Sequence, residues 1–172
     1  MVESIHKETV LVTGITGYCG SWVAKELLEQ GRDRFKVRAI VRDPNNLSKL
    51  DPIKEDYGEL FFNSIEFVKA DLTSHESLLK ATEGVSYVQH VASPLPGAHT
   101  PSAEEMQKAA KDGMQSLIDA CVANKVKRII VTSAFFCMIG NCYKKDKGDH
   151  HYTEEDFAPF ETANPYAQSK MA

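Results

Sequence analysis

Tyr166 and Lys170 stand four residues apart in Tyr166-Ala167-Gln168-Ser169-Lys170, near the end of a 172-residue chain. On a helix this spacing puts both side chains on one face, side by side. A free tyrosine ionises near pH 10, so acid/base work near neutrality needs a shift of about three units, or about 4 kcal/mol. A neighbouring ammonium favours the tyrosinate and supplies part of that shift. Alone, the pair is also what an exposed Tyr beside an exposed Lys looks like by chance. A second motif changes the weighting. Gly14-Ile15-Thr16-Gly17-Tyr18-Cys19-Gly20 follows the apolar run Thr9-Val10-Leu11-Val12 and precedes Ser21-Trp22-Val23-Ala24-Lys25-Glu26-Leu27-Leu28. A buried strand, a glycine-rich turn and an amphipathic helix, in that order, are what a dinucleotide pyrophosphate requires. Gly14 permits the tight turn, Gly17 lets backbone N–H groups approach the phosphates, and Gly20 lets the helix lie close to the strand. The helix N-terminus adds unpaired donors and partial positive charge. Gly14, Thr16, Gly17, Tyr18, Cys19 and Gly20 are therefore candidate cofactor contacts.

The elements that must position these groups alternate along the chain. Strands are predicted at Thr9–Val12, Lys36–Val41, Ile65–Lys69, Val85–Val91 and Lys127–Thr132. Between them, Gly31 reads as the C-cap of the first helix. Leu47, Leu50 and Ile53 hint at a short helix that Pro52 disturbs. Thr73 or Ser74 caps a third helix with Leu78, Leu79 and Ala81 on its buried side, closed by Gly84. A long helix is predicted from Pro101 to Asn124, with Met106, Ala110, Met114, Leu117, Ile118, Cys121 and Val122 as one buried stripe. Gly113 inside it implies close packing, because glycine costs about 1 kcal/mol there relative to alanine. Such alternation makes an α/β fold, a doubly wound parallel sheet with helices on both faces and ligands at the carboxyl ends of the strands.

Composition narrows the partners. With a formal net charge of −4 and its Lys and Arg scattered, the chain has no basic field, so nucleic acid is excluded as a main partner. The four cysteines form neither a Cys-x-x-Cys nor a disulfide-scaffold spacing, and reduced thiols in the cytoplasm are expected. Met1–Glu8 has no apolar signal core, and the stretch from Ile129 to Gly140 is too short to span a bilayer. No metal site is expected: His150-His151 lies in a polar stretch that reads as a solvated loop, and Cys137 and Cys142 lack further ligands nearby. His90 is expected as a satisfied buried histidine, and Trp22 as a core residue.

Several motifs agree in order as well as type. These are Thr13-Gly-x-x-Gly-x-x-Gly20, Val41-Arg42-Asp43-Pro44, Ala70-Asp71-Leu72, His90-Val91-Ala92-Ser93-Pro94, Asp112-Gly113-Met114, Val131-Thr132-Ser133 and Tyr166-Ala167-Gln168-Ser169-Lys170. On these residues the chain resembles an extended short-chain dehydrogenase/reductase of the NAD-dependent epimerase/dehydratase superfamily, in the dihydroflavonol reductase and cinnamoyl-CoA reductase branch. The resemblance implies a Rossmann fold in which residues 1–172 form the NAD(P)-binding domain, with the C-terminal substrate lobe missing. It also implies an NADPH-dependent reductase of a ketone or aldehyde, a small-molecule carbonyl substrate. Tyr166 would donate the proton, while Lys170 would lower its pKa and hold the nicotinamide ribose.

Other roles follow from the same likeness. Arg42 ends the second strand, where an NAD-specific fold places a carboxylate, and a guanidinium there matches the NADPH 2′-phosphate. NADPH is thus preferred, with NAD possible, since Asp43 adjoins Arg42. By resemblance Lys49 is a second phosphate contact, Asp71 and Leu72 flank the adenine, and Val91, Ala92 and Ser93 pass along the cofactor. Relatives carry a serine pair after the fifth strand, the second hydroxyl polarising the substrate carbonyl. Ungapped matching puts Ala134 at that place, whereas Ser133 takes the role if the strand end shifts by one residue. Two other readings stay open: a catalytically impaired nucleotide-binding or sensing module, suggested by Ala134, and a nucleotide-sugar epimerase or dehydratase sharing the same core.

Overall fold

The computed structural model describes residues 7–93, 102–139 and 151–171. By their internal contacts they fall into two units: Met1–Ala92 with Gln115–Thr132, and Ser93–Met114 with Ser133–Ala172.

In the first unit, β1 (Glu8–Thr13), β2 (Phe35–Val41), β3 (Glu66–Lys69), β4 (Tyr87–His90) and β5 (Arg128–Val131) form one parallel sheet in the order β3-β2-β1-β4-β5. Helices α1 (Tyr18–Glu29), α2 (Leu47–Phe62) and α3 (His75–Ala81) alternate with the strands, and α4 (Ala103–Ala123) precedes β5. Successive residues of a strand point to opposite faces, and each face has its own core. Val12, Val37, Ala39 and Val41 pack with Ala24 and Leu28 of α1 and with Leu50, Ile53 and Tyr57 of α2. Leu11, Ile40 and Val88 pack with Leu78 and Ala81 of α3 and with Leu117, Ala120 and Cys121 of α4. This is the Rossmann-type sheet with flanking helices expected above. The strand order reverses between β1 and β4, so the glycine-rich turn at the end of β1 sits at the topological switch point where such sheets bind ligands.

Four local expectations need correction. Trp22 is 52% exposed rather than core. The buried positions of α1 are Gly20, Ala24 and Leu28, and Trp22 lies about 200° around the helix from Gly20, with the Lys25 ammonium over its ring. Gly31 is not a left-handed cap: the C-cap is Gln30, and a Cβ on Gly31 would stand 2.7 Å from both Leu27 O and the Phe35 ring. The Leu47 helix is long, running sixteen residues through Pro52 and broken at Gly58, where φ is +75°. Its hold is tertiary. Leu50, Ile53 and Tyr57 are buried, the Tyr57 hydroxyl donates to Ser21 O, and Lys25 pairs with Asp56 at 3.1 Å. Burial pushes the Tyr57 phenol up to about 12. On α4 the stripe runs through Met106, Gly113, Leu117, Ala120 and Cys121, while Ile118 and Val122 are exposed.

The second unit is built from short pieces: the start of α4, α5 (Phe136–Ile139), a 3-10 turn at Phe160–Thr162 and α6 (Pro165–Met171). α5 and α6 pack together, with Cys137, Ile139, Ala163 and Ala167 buried. Pro94, Cys142 and His150 lie outside the described residues.

Candidate functional site

Two of the three turn glycines are dictated by the fold itself. Gly14 has φ +76°, and a Cβ there would stand 2.8 Å from Ala92 N; on Gly20 it would stand 2.0 Å from Gly14 O. Gly17 is different. Its backbone is extended (φ −100°, ψ 163°), and a Cβ would meet only Gly14 O at 3.4 Å, an ordinary contact. Nothing among the described residues requires glycine there, so the space in front of it is the feature that a phosphate group would fill. The helix end agrees: Gly17 is the N-cap of α1, no side chain caps the first turn, and that turn has no acidic residue. An anion at this end finds donors and partial positive charge without competition. Thr16, Tyr18 and Cys19 are exposed around it.

Below the turn, Thr13 is fully buried. Its hydroxyl accepts from the Val91 and Ala92 amides at 3.1 and 3.0 Å and lies 3.0 Å from His90 Nδ1. His90 is thus the buried, bonded histidine expected. Thr13, which the sequence reading passed over, fixes the turn after β4 against the turn after β1. The signal was available in its place between an apolar strand and the first glycine.

Arg42 follows β2 and is exposed, as is Lys49 on α2. Asp43 Oδ1 accepts from the Asn45 amide at 2.9 Å, so this carboxylate closes its own turn. Asp71 Oδ1 accepts from the Thr73 amide at 2.9 Å and the Thr73 hydroxyl at 2.7 Å. Those bonds, with the Arg42 charge as a smaller cause, hold its carboxyl below the usual value despite some desolvation. Asp71 is therefore ionised and acceptor-only near neutrality, suited to an exocyclic amine. The cap of the next helix is Ser74, whose side chain accepts from the Ser77 amide. Leu72, Val91 and Ala92 are partly buried.

In the second unit, Tyr166 and Lys170 lie one turn apart on α6 and both are partly buried. Asn164 Oδ1 accepts from the Ala167 amide at 2.8 Å and Pro165 opens the helix, a pairing readable as Asn164-Pro165 in the sequence. Ser169 donates to Tyr166 O at 2.7 Å. Gln168 accepts from Gln107 and donates to Phe160 O, both at 2.8 Å. Ser133 and Ala134 lie beyond β5, which ends at Val131 rather than Thr132. The Ser133 hydroxyl donates to Cys137 Sγ at 3.6 Å. Ser93 is partly buried.

No helix among the described residues is long and apolar enough to cross a membrane. Residues 10–172 match the family described as NAD dependent epimerase/dehydratase. Dihydroflavonol 4-reductase of Zea mays is 39% identical over 130 residues, covering 75% of this chain and 35% of its own length. Cinnamoyl-CoA reductase 1 of Arabidopsis thaliana is 34% identical over 179 residues, covering 99% of this chain and 47% of its own. Vestitone reductase from alfalfa superposes with a TM-score of 0.67 at 31% identity, covering 95% of this chain and 49% of its own. The chain spans less than half the length of each of these relatives. With a parallel sheet whose glycine turn sits at the switch point and a family match over nearly every residue, the chain belongs to the NAD-dependent epimerase/dehydratase family.

Proposed function

We propose that the chain is the cofactor-binding domain of an NADPH-dependent reductase acting on a ketone or aldehyde. The observation that carries this reading is Gly17, an uncapped helix start where a Cβ would meet only Gly14 O, so that packing among the described residues gives no reason for glycine. Gly14, Thr16, Tyr18, Cys19 and Gly20 frame that place, and Val91, Ala92 and Ser93 follow the adjacent strand. Arg42 and Lys49 hold the 2′-phosphate, with Asp43 kept out of competition by its own turn. Asp71 accepts from the adenine amine, and Leu72 lies against the ring. When bound, the dinucleotide supplies hydride to the carbonyl carbon. Tyr166 delivers a proton to the carbonyl oxygen, and Lys170, one helical turn away, favours the tyrosinate that results and holds the ribose. Ser133 polarises the carbonyl by turning its hydroxyl proton from Cys137 Sγ to the carbonyl oxygen. The lack of any membrane-spanning helix among the described residues and the free thiols Cys19, Cys121 and Cys137 fit a cytoplasmic reductase.

Ala134 supports a second reading, a nucleotide-binding module with an impaired site. It stands at the family's polarising serine, and the Ser133 hydroxyl is already donated to Cys137.

The test is Arg42→Ala in the full-length protein. Losing a charge-assisted contact worth about 1.5 to 3 kcal/mol weakens NADPH about 10- to 100-fold by calorimetry and leaves NADH unchanged. Equal affinity of the unmutated protein for the two cofactors overturns the NADPH assignment.

A further inference from the structure

We propose that Tyr57 and Lys25 are positioning residues that set the start of α2, with Lys49, against the phosphate end of α1, and so make the site select a dinucleotide carrying a 2′-phosphate. This rests on the NADPH reading above, in which Gly17 faces the diphosphate while Arg42 and Lys49 hold the 2′-phosphate.

The proposed phosphate contacts belong to different helices, and α2 cannot place its own. Pro52 removes the amide that would bond to Ser48 O, and the helical path breaks at Gly58. The segment from Leu47 to Tyr57 that carries Lys49 is only about three turns long, too short to hold without outside support. Leu50 and Ile53 bury its inner face, but apolar contact has no direction and leaves the segment free to slide. Direction comes from its last two residues. The Tyr57 hydroxyl donates to Ser21 O. The Lys25 ammonium pairs with Asp56 Oδ2 at 3.1 Å and donates to Asp56 O at 3.4 Å. The same ammonium lies 5.1 Å from the centre of the Trp22 ring and 5.9 Å from that of Tyr57, within cation–π range of both.

Ser21 closes the link to the ligand end. It stands in the first turn of α1, and its amide donates to Gly17 O at 2.9 Å. One run of contacts therefore leads from α2 through Tyr57 and Ser21 to the residue that faces the diphosphate. Lys49 precedes Tyr57 by about two helical turns on the same segment. A slide of that segment moves Lys49 relative to Gly17 and leaves the start of α1 in place.

Tyr57→Phe keeps the ring and removes the hydroxyl bond. Lys25→Met keeps the aliphatic stem and removes the charge, which Lys25→Arg restores. In the full-length protein, calorimetry with NADPH and NADH reads the selectivity. Tyr57→Phe and Lys25→Met are each expected to lose roughly three- to tenfold in NADPH affinity, the worth of one ordinary hydrogen bond, with NADH unchanged and Lys25→Arg close to the parent. In the cofactor-free protein, amide exchange over residues 49–57 should quicken in the same two variants while that of β1 does not change. A selective loss of NADPH in a protein that reduces no carbonyl upholds the proposal and overturns only the reductase reading. An unchanged ratio of the two affinities, or a parallel loss of both as a merely structural role would give, overturns the proposal. If Arg42→Ala still weakens NADPH alone in that case, the cofactor reading stands without it.

Discussion

The start of α1 and the start of α6 are both helix ends beside candidate reacting groups, yet they are finished in opposite ways. At α6 the protein satisfies itself: Asn164 caps, Pro165 opens, and Ser169, Gln168 and Cys137 bind neighbouring carbonyls. At α1 no side chain caps the end. α3 is capped by Ser74, and α4 by a reciprocal pair in which Ser102 and Glu105 exchange side-chain and backbone bonds. α2, like α1, has an N-cap whose side chain makes no capping bond, Asn46, and its amide oxygen is taken by Ser48. Both α1 and α2 carry proposed phosphate contacts. A helix end left open inside an otherwise well-satisfied fold is more informative about a ligand than the glycine count around it.

The sharpest way to break this contrast is Gly20→Ala. Helix propensity alone makes alanine better by about 1 kcal/mol. The Cβ would stand 2.0 Å from Gly14 O, a backbone atom, so the account expects a net loss of about 3 kcal/mol or more in urea unfolding. A variant as stable as the parent would mean that the turn is looser than described. Thr13→Val comes next. It preserves shape but leaves the Val91 and Ala92 amides without their acceptor, at about 1 to 3 kcal/mol for each group stranded from water. Amide exchange at these two residues should accelerate with the drop in stability, and unchanged protection would contradict the role given to Thr13. The smallest effect belongs to the second unit. Asn164→Ala removes one cap at about 1 kcal/mol, which speeds exchange of the Ala167 amide roughly fivefold, while Asn164→Ser retains most of the protection. Equal exchange in all three would show that Asn164 does not hold α6.

Much of the first unit was legible because its inner strands β1 and β2 are largely buried and read as short apolar runs. Thr9–Val12 and Lys36–Val41 fall inside β1 and β2. What stayed hidden depended on partners distant in the chain. Pro52 and Gly58 interrupt the local helical signal of α2, and only Tyr57 against Ser21 and Asp56 against Lys25 explain why it persists. Trp22 was misjudged on residue type, although its phase relative to Gly20 and Ala24 placed it outside. At the site, the glycines and the Tyr-Lys spacing were visible as text. The Ser133 and Ala134 alternatives were not separable there, because the partner of the Ser133 hydroxyl is a cysteine that the motif does not include.

The central claim is that Gly17 is glycine for a ligand and not for the fold. Gly17→Ala tests it in one protein with two readings, urea unfolding and calorimetric titration with NADPH. The account predicts a stability change below about 1 kcal/mol, the modest difference between glycine and alanine at an N-cap, together with at least a tenfold loss of NADPH affinity, about 1.4 kcal/mol. Unchanged affinity in a variant that folds normally would contradict it.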